Sequence, residues 1–202
     1  MGPFIAVVDY GIGNLRSAEK GLSQVGADAR LVTGPAAIEA ADGVVLPGVG
    51  NFGRCRDALA ASGLWAATVA AARSGKPFLG ICVGMQLLYE ESHESPGISG
   101  LGIFAGAVAL LPDGVRRPQM QWNLLDVRPG SRLLAGFEEG AWAYFVHSYA
   151  PPIGPETVAT CDYGGPVAAA VEEGAVWATQ FHPEKSSSVG LGILANFVKA
   201  CG

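Results

Sequence analysis

Short apolar runs alternate with helically spaced ones through the first half of the chain. FIAVVDY (4–10) is a β-rich run that ends in the loop GIG. Asn14 then stands where it can cap a helix in which Leu15, Ala18, Leu22 and Val25 recur at helical spacing, with Gly26 as the stop. ARLVT (29–33) and GVVLP (43–47) read as the next two strands. A long Ala-rich helix is predicted over 57–73, and GKP then turns the chain into a fourth strand, FLGI (78–81). Strands that alternate with helices imply a parallel, doubly wound sheet.

The second half has another rhythm. AVALL (107–111), LLDVR (124–128), WAYFVHSY (142–149), TVATC (157–161), VAAAV (167–171) and AVWATQF (175–181) are short strands separated by Gly/Pro turns, some of them suited to hairpins at a sheet edge. A last helix, about 189–200, sets Ile193 with Phe197 and Leu194 with Val198 on one face. With no repeat and no linker, the pattern predicts a single domain over 1–202: an open, mostly parallel α/β sheet flanked by helices, with antiparallel additions in the second half.

Composition sharpens this in three ways. Half the residues are hydrophobic and only 15% are charged, which suits a large α/β core and some apolar surface for a partner. A net charge of −5 without Lys/Arg runs argues against nucleic acid or an anionic membrane as the main partner. The first nine residues, MGPFIAVVD, lack the pattern of a secretory signal, and the uncharged run 58–72 is shorter than the roughly 20 residues of a membrane span. Cys55, Cys82, Cys161 and Cys201 form no C-x-x-C pair, so reduced thiols in a cytoplasmic chain are expected.

Three segments carry candidate chemistry. Gly80-Ile81-Cys82-Val83-Gly84 is G-x-C-x-G, the cysteine analogue of the nucleophile elbow between a strand and a helix. There the helix N-terminus favours thiolate, and the Val83 N–H is free for an oxyanion. Alone, the pentapeptide is equally compatible with a buried structural cysteine. His182-Pro183-Glu184 places a carboxylate two residues beyond an imidazole, on the same side of an extended segment, as a base and its orienter need. By itself HPE fits better a strand-end histidine with Glu184 paired to Lys185. LPGVGNFG (46–53) is a Gly-rich loop after a strand, able to offer backbone N–H groups at the strand ends where ligands gather. Three scattered histidines lack metal-ligand spacing, and His93 in ESHESPG reads as a solvated loop residue.

Taken in order, DYGIGNLRS (9–17), PGVGNFG (47–53), LGICVGMQLL (79–88), YFVHSY (144–149) and QFHPEKSS (180–187) make nearly the whole chain resemble the class I (triad) glutamine amidotransferases. DYGIGN and PQMQWN (118–123) resemble the branch that serves imidazole glycerol phosphate synthase in histidine biosynthesis; Gln121 stands where that branch usually has Gly. The resemblance implies a flavodoxin-like sheet, no cofactor, no metal, and hydrolysis of glutamine to glutamate and ammonia through a cysteinyl thioester. It implies Cys82 as nucleophile, His182 as proton manager and Glu184 as its orienter. Backbone groups at Val49, Gly50 and Val83 would hold the oxyanion, and Gln86, His147, Ser148 and Tyr149 would hold glutamine. It further implies a partner, a cyclase subunit built as a (βα)8 barrel, met through Asn14, Trp122, Asn123 and Lys185. The glycines around Val49 permit a peptide rotation there, and the expectation is a glutaminase that the loaded partner switches on.

Overall fold

The computed structural model describes residues 2–202. In chain order the first half runs β1 (Phe4–Val8), α1 (Leu15–Gln24), β2 (Asp28–Val32), α2 (Pro35–Ala40), β3 (Gly43–Gly48), α3 (Phe52–Ala61), α4 (Trp65–Arg73), β4 (Phe78–Cys82) and α5 (Val83–Gln86). The second half runs β5 (Tyr89–Ser92), β6 (Phe104–Leu110), β7 (Gln119–Leu124), β8 (Asp126–Val127), β9 (Trp142–His147), β10 (Tyr149–Ala150), β11 (Thr157–Asp162), β12 (Pro166–Glu173) and β13 (Val176–Thr179). A 3-10 turn, Pro183–Lys185, then leads into α6 (Ser187–Ala200).

An eight-stranded sheet in the order β2-β1-β3-β4-β13-β12-β11-β8 forms the backbone of the fold. Its first five strands are parallel, and β12, β11 and β8 continue it antiparallel. The parallel strands are apolar on both faces because helices cover both: β3 and β4 are buried throughout. A mixed sheet (β10-β6-β5) and a two-stranded ribbon (β7-β9) sit beside the main one. Helix α1 buries Ala18, Gly21 and Leu22. Gly21 lets α1 approach α6 closely: a Cβ would come within 2.8 Å of Leu194 Cδ1, which would have to shift.

The expected elements differ from the observed ones where the sequence pattern is ambiguous. The helix expected over 57–73 is two helices, because Gly63 adopts φ 77 and turns the chain between α3 and α4. Asn51 caps α3 by accepting the Arg54 N–H at 3.0 Å. Asn14 does stand at the N-cap of α1, but its side chain makes no capping bond. The strand expected over 142–149 breaks at Ser148: β9 pairs in the ribbon and β10 joins another sheet. The strand expected over 124–128 is likewise two pieces, most of β7 lying before it. Strand β6 starts three residues earlier than expected, and α2 and β5 had no sequence expectation.

Candidate active site

Strand β4 delivers Cys82 to the C-terminal edge of the parallel strands, where α5 begins at once. Cys82 has φ 56 and ψ −111, a conformation an L-residue adopts only under constraint. The constraint is close packing by the flanking glycines. A Cβ on Gly84 would run into the Leu46 carbonyl, and one on Gly80 would sit 2.8 Å from the Gly84 carbonyl oxygen. The elbow is therefore real geometry, but the helix behind it is a single turn of four residues, so any dipole at its start is small.

His182 arrives from the other side. After β13 ends at Thr179, Gln180, Phe181 and His182 leave the sheet, and the ring is 1% exposed. Its Nδ1 lies 2.7 Å from Glu184 Oε1, and the Asn14 amide donates to the same oxygen at 3.1 Å. Asn14, expected at a partner surface, thus turns its side chain inward and fixes the carboxylate that fixes the imidazole. Ser186 holds the backbone beneath: its hydroxyl donates to the His182 carbonyl at 2.7 Å and accepts the Tyr144 N–H at 3.0 Å.

Burial works against a charged imidazole, yet the neighbouring Cys82 and Glu184 outweigh it and push His182 up to about 10. His182 Nε2 is buried without a hydrogen-bond partner, as is Glu184 Oε2. An unpaired buried nitrogen costs about 1–3 kcal/mol.

Cys82 and His182 line one cavity of about 250 Å³, the size for a small metabolite. Val49, Gly50, Val83, Gln86, His147, Ser148 and Tyr149 line it as well, so the expected oxyanion and substrate residues converge on one space. Gln86 donates through Nε2 to the Tyr149 carbonyl (2.9 Å) and to Gln180 Oε1 (3.0 Å), and Gln180 Nε2 reaches Cys82 Sγ at 3.7 Å. Both ring nitrogens of His147 are engaged, Nδ1 with the Tyr149 carbonyl at 2.8 Å and Nε2 with Gln119 Oε1 at 3.0 Å. Burial, opposed by a bond to the Tyr149 carbonyl and aided by the His182 charge, pushes it down to about 4 and keeps it neutral.

Two residues of the site were not singled out from the sequence. Glu94 lines the cavity, its Oε2 accepting the Phe52 N–H at 2.7 Å. Gln180 lies inside the quoted motif, and its two-residue spacing from His182 could have marked it. Among the described residues, no group of three or more His, Cys, Asp and Glu could hold a metal ion.

The remaining expected residues lie outside the cavity. Met120, Trp122, Leu124 and Trp142 are large, exposed and adjacent on the β7-β9 ribbon, where Leu124 pairs with Trp142 and Trp122 with Tyr144. Asn123 donates to the Asp162 carbonyl at 2.9 Å, tying the ribbon to β11, and Lys185 is exposed beside Glu184. Gln121 pairs with Phe145 in regular extended backbone, so nothing there requires glycine.

Comparison with known proteins gives a consistent picture. A family model described as glutamine amidotransferase class-I matches residues 6–201. The imidazole glycerol phosphate synthase subunit HisH of Methanothermobacter thermautotrophicus is 48% identical over 196 residues, 96% of this chain and 98% of its own length. The same subunit from a Synechococcus species is 49% identical over 201 residues, covering 96% of this chain and 93% of its own. Among solved structures, one described as a glutamine amidotransferase has TM-score 0.74 at 22% identity, covering 98% of both chains. PurLQS from Thermotoga maritima has TM-score 0.73 at 22% identity, covering 100% of this chain and 98% of its own. At these identities the two structures bear on the fold alone.

Proposed function

The chain belongs to the class I glutamine amidotransferases, with relatives named imidazole glycerol phosphate synthase subunit HisH, and from that premise we propose which residues carry its reaction. It is a glutaminase subunit of that synthase, acting in histidine biosynthesis within a heteromeric enzyme. The observation that carries the residue assignment is that His182, paired behind with Glu184, shares one cavity with a Cys82 held at positive φ.

In this reading glutamine enters the 250 Å³ cavity with its side-chain amide at Cys82. Glu94, the carboxylate on the wall, receives the α-ammonium. Cys82 Sγ, having passed its proton to His182 Nε2, attacks the amide carbon. The oxyanion is met by the Val83 N–H and by the backbone at Val49 and Gly50. His182, held up by Glu184, returns the proton to the leaving nitrogen, the carbon–nitrogen bond breaks, and ammonia departs from a γ-glutamyl thioester. Water, giving a proton to His182, cleaves the thioester to glutamate, and the sulfur regains its proton. Gln86, His147, Ser148 and Tyr149 shape the wall that positions the amino acid.

Ammonia at neutral pH is mostly protonated, so its delivery calls for a sealed route to the acceptor. The partner is a cyclase subunit with a (βα)8 barrel, and the apolar Met120–Trp122–Leu124–Trp142 face is its docking surface, with Lys185 at the rim. Residues 1–202 act as one amidotransferase domain. No helix among the described residues is long and apolar enough to cross a membrane, and all four cysteines are unpaired, which suits the cytoplasm. Mixing the chain with a barrel partner and its ligand tests the reading. Cys82→Ala should lower glutamate release by at least about 1,000-fold. Synthesis fed with an ammonium salt should continue. Retained glutamine hydrolysis in Cys82→Ala would remove Cys82 from the mechanism.

A further inference from the structure

Strand β3 runs between β1 and β4, but the two neighbours accompany it for different lengths. On the β4 side the register continues from Val44–Phe78 to Gly48–Cys82. On the β1 side it ends at Val7–Val45. Backbone groups of a strand point to alternate edges at alternate residues, and the Val44 N–H goes to the β4 side, on the Pro77 carbonyl. The carbonyls of Pro47 and Val49 therefore face the edge that β1 has left. Unpaired, the buried Pro47 carbonyl would be an orphan costing about 1–3 kcal/mol, and the half-buried Val49 carbonyl would cost less.

Two side chains from separate elements fill these positions. The Tyr10 hydroxyl, two residues past the end of β1, donates to the Pro47 carbonyl at 2.7 Å. The Cys55 thiol, on α3, donates to the Val49 carbonyl at 3.2 Å. Tyr10 is 6% exposed and Cys55 fully buried. Burial raises the pKa of both, so each remains a donor at neutral pH. Gly48 lies between these rungs, and a Cβ there would come within 3.0 Å of the Tyr10 hydroxyl and of Val83 Cβ. The hydroxyl thus lies close to the point where β3 crosses the elbow.

We propose that Tyr10 and Cys55 are positioning residues for the oxyanion segment, extending the β3 ladder by two side-chain rungs so that Val49 and Gly50 stay at the depth of Cys82. This rests on the glutaminase reading above. Cys55 then has a task in catalysis without touching substrate, and its thiol hydrogen is what matters rather than its packing volume.

The test uses the chain with its barrel partner and the partner's ligand, and reads two rates. Glutamine hydrolysis needs the oxyanion segment; alkylation of Cys82 by iodoacetamide does not. Tyr10→Phe and Cys55→Ala should each lower kcat about ten-fold, with KM changed by less than about two-fold. Their Cys82 alkylation rates should match wild type. Cys55→Ser, which restores a donor, should recover most of the activity lost in Cys55→Ala. If Tyr10→Phe does not fold, the contrast between the two Cys55 variants carries the test. Unchanged kcat in Tyr10→Phe and Cys55→Ala overturns the proposal. So does a fall in kcat and alkylation together, with Cys55→Ser no better than Cys55→Ala. A wild-type complex that releases no glutamate overturns the underlying glutaminase reading instead.

Discussion

The two site histidines should shape the pH dependence of stability in opposite directions, and His147 permits the magnitude to be worked out. An unfolded histidine takes up a proton near pH 6.5, whereas burial pushes folded His147 down to about 4. Between those values the unfolded chain binds a proton that the folded chain refuses, so stability is fully present above 6.5 and falls as pH falls towards 4. At about 1.4 kcal/mol per pH unit, the loss reaches about 3 kcal/mol. His182 behaves in reverse. Its folded value is raised to about 10, so its contribution is complete below 6.5 and is lost as pH rises towards 10. Urea unfolding followed through Trp177, which is 3% exposed, should therefore give a stability maximum near neutrality. His147→Gln should flatten the acid arm between pH 6.5 and 4, and His182→Gln the alkaline arm. Parallel profiles for wild type and His147→Gln across that acid range would refute a neutral, buried His147.

Two further outcomes follow from the site and the ribbon. Glu184→Gln keeps an oxygen for the Asn14 amide and removes the charge that holds the imidazolium. Steady-state glutaminase assays should show kcat lowered on the order of 100- to 10,000-fold with little change in KM, and the alkaline stability arm should shrink alongside. Trp122→Ala removes a large side chain, 44% exposed, from the centre of the apolar ribbon face. Titration calorimetry with the barrel partner should show affinity reduced by at least about ten-fold, while thermal unfolding of the free chain stays where it was.

What the sequence made legible follows from how local each signal is. Strands β1, β3 and β4 read as continuous apolar runs because both faces are covered, and Cys82 with its glycines was visible because the elbow is built from five consecutive residues. The split between α3 and α4 was hidden, since alanines flank Ser62-Gly63-Leu64 and carry no information about a turn. Strand β7 was mostly missed for a physical reason: it alternates in the inverted sense, with Met120, Trp122 and Leu124 facing out.

In the site, His182 and Glu184 are two positions apart, whereas Cys55 finds its partner outside its own helix and Asn14 finds one at the far end of the sequence. His182 and Glu184 meet within one turn, Asn14 reaches Glu184 across 170 residues of chain, and Cys55 meets the Val49 carbonyl from the first turn of α3. The resemblance put Asn14 at a partner surface, and nothing around Cys55 gave that thiol a role. Both types satisfy buried polar atoms as readily as they serve those roles, so the choice depends on which carbonyl or carboxylate the fold leaves unpaired. At Cys55 that is Val49, orphaned because β1 ends at Val8 and its pairing with β3 stops at Val45. The thiol is therefore read most directly from the length of a neighbouring strand, a quantity no motif around Cys55 contains.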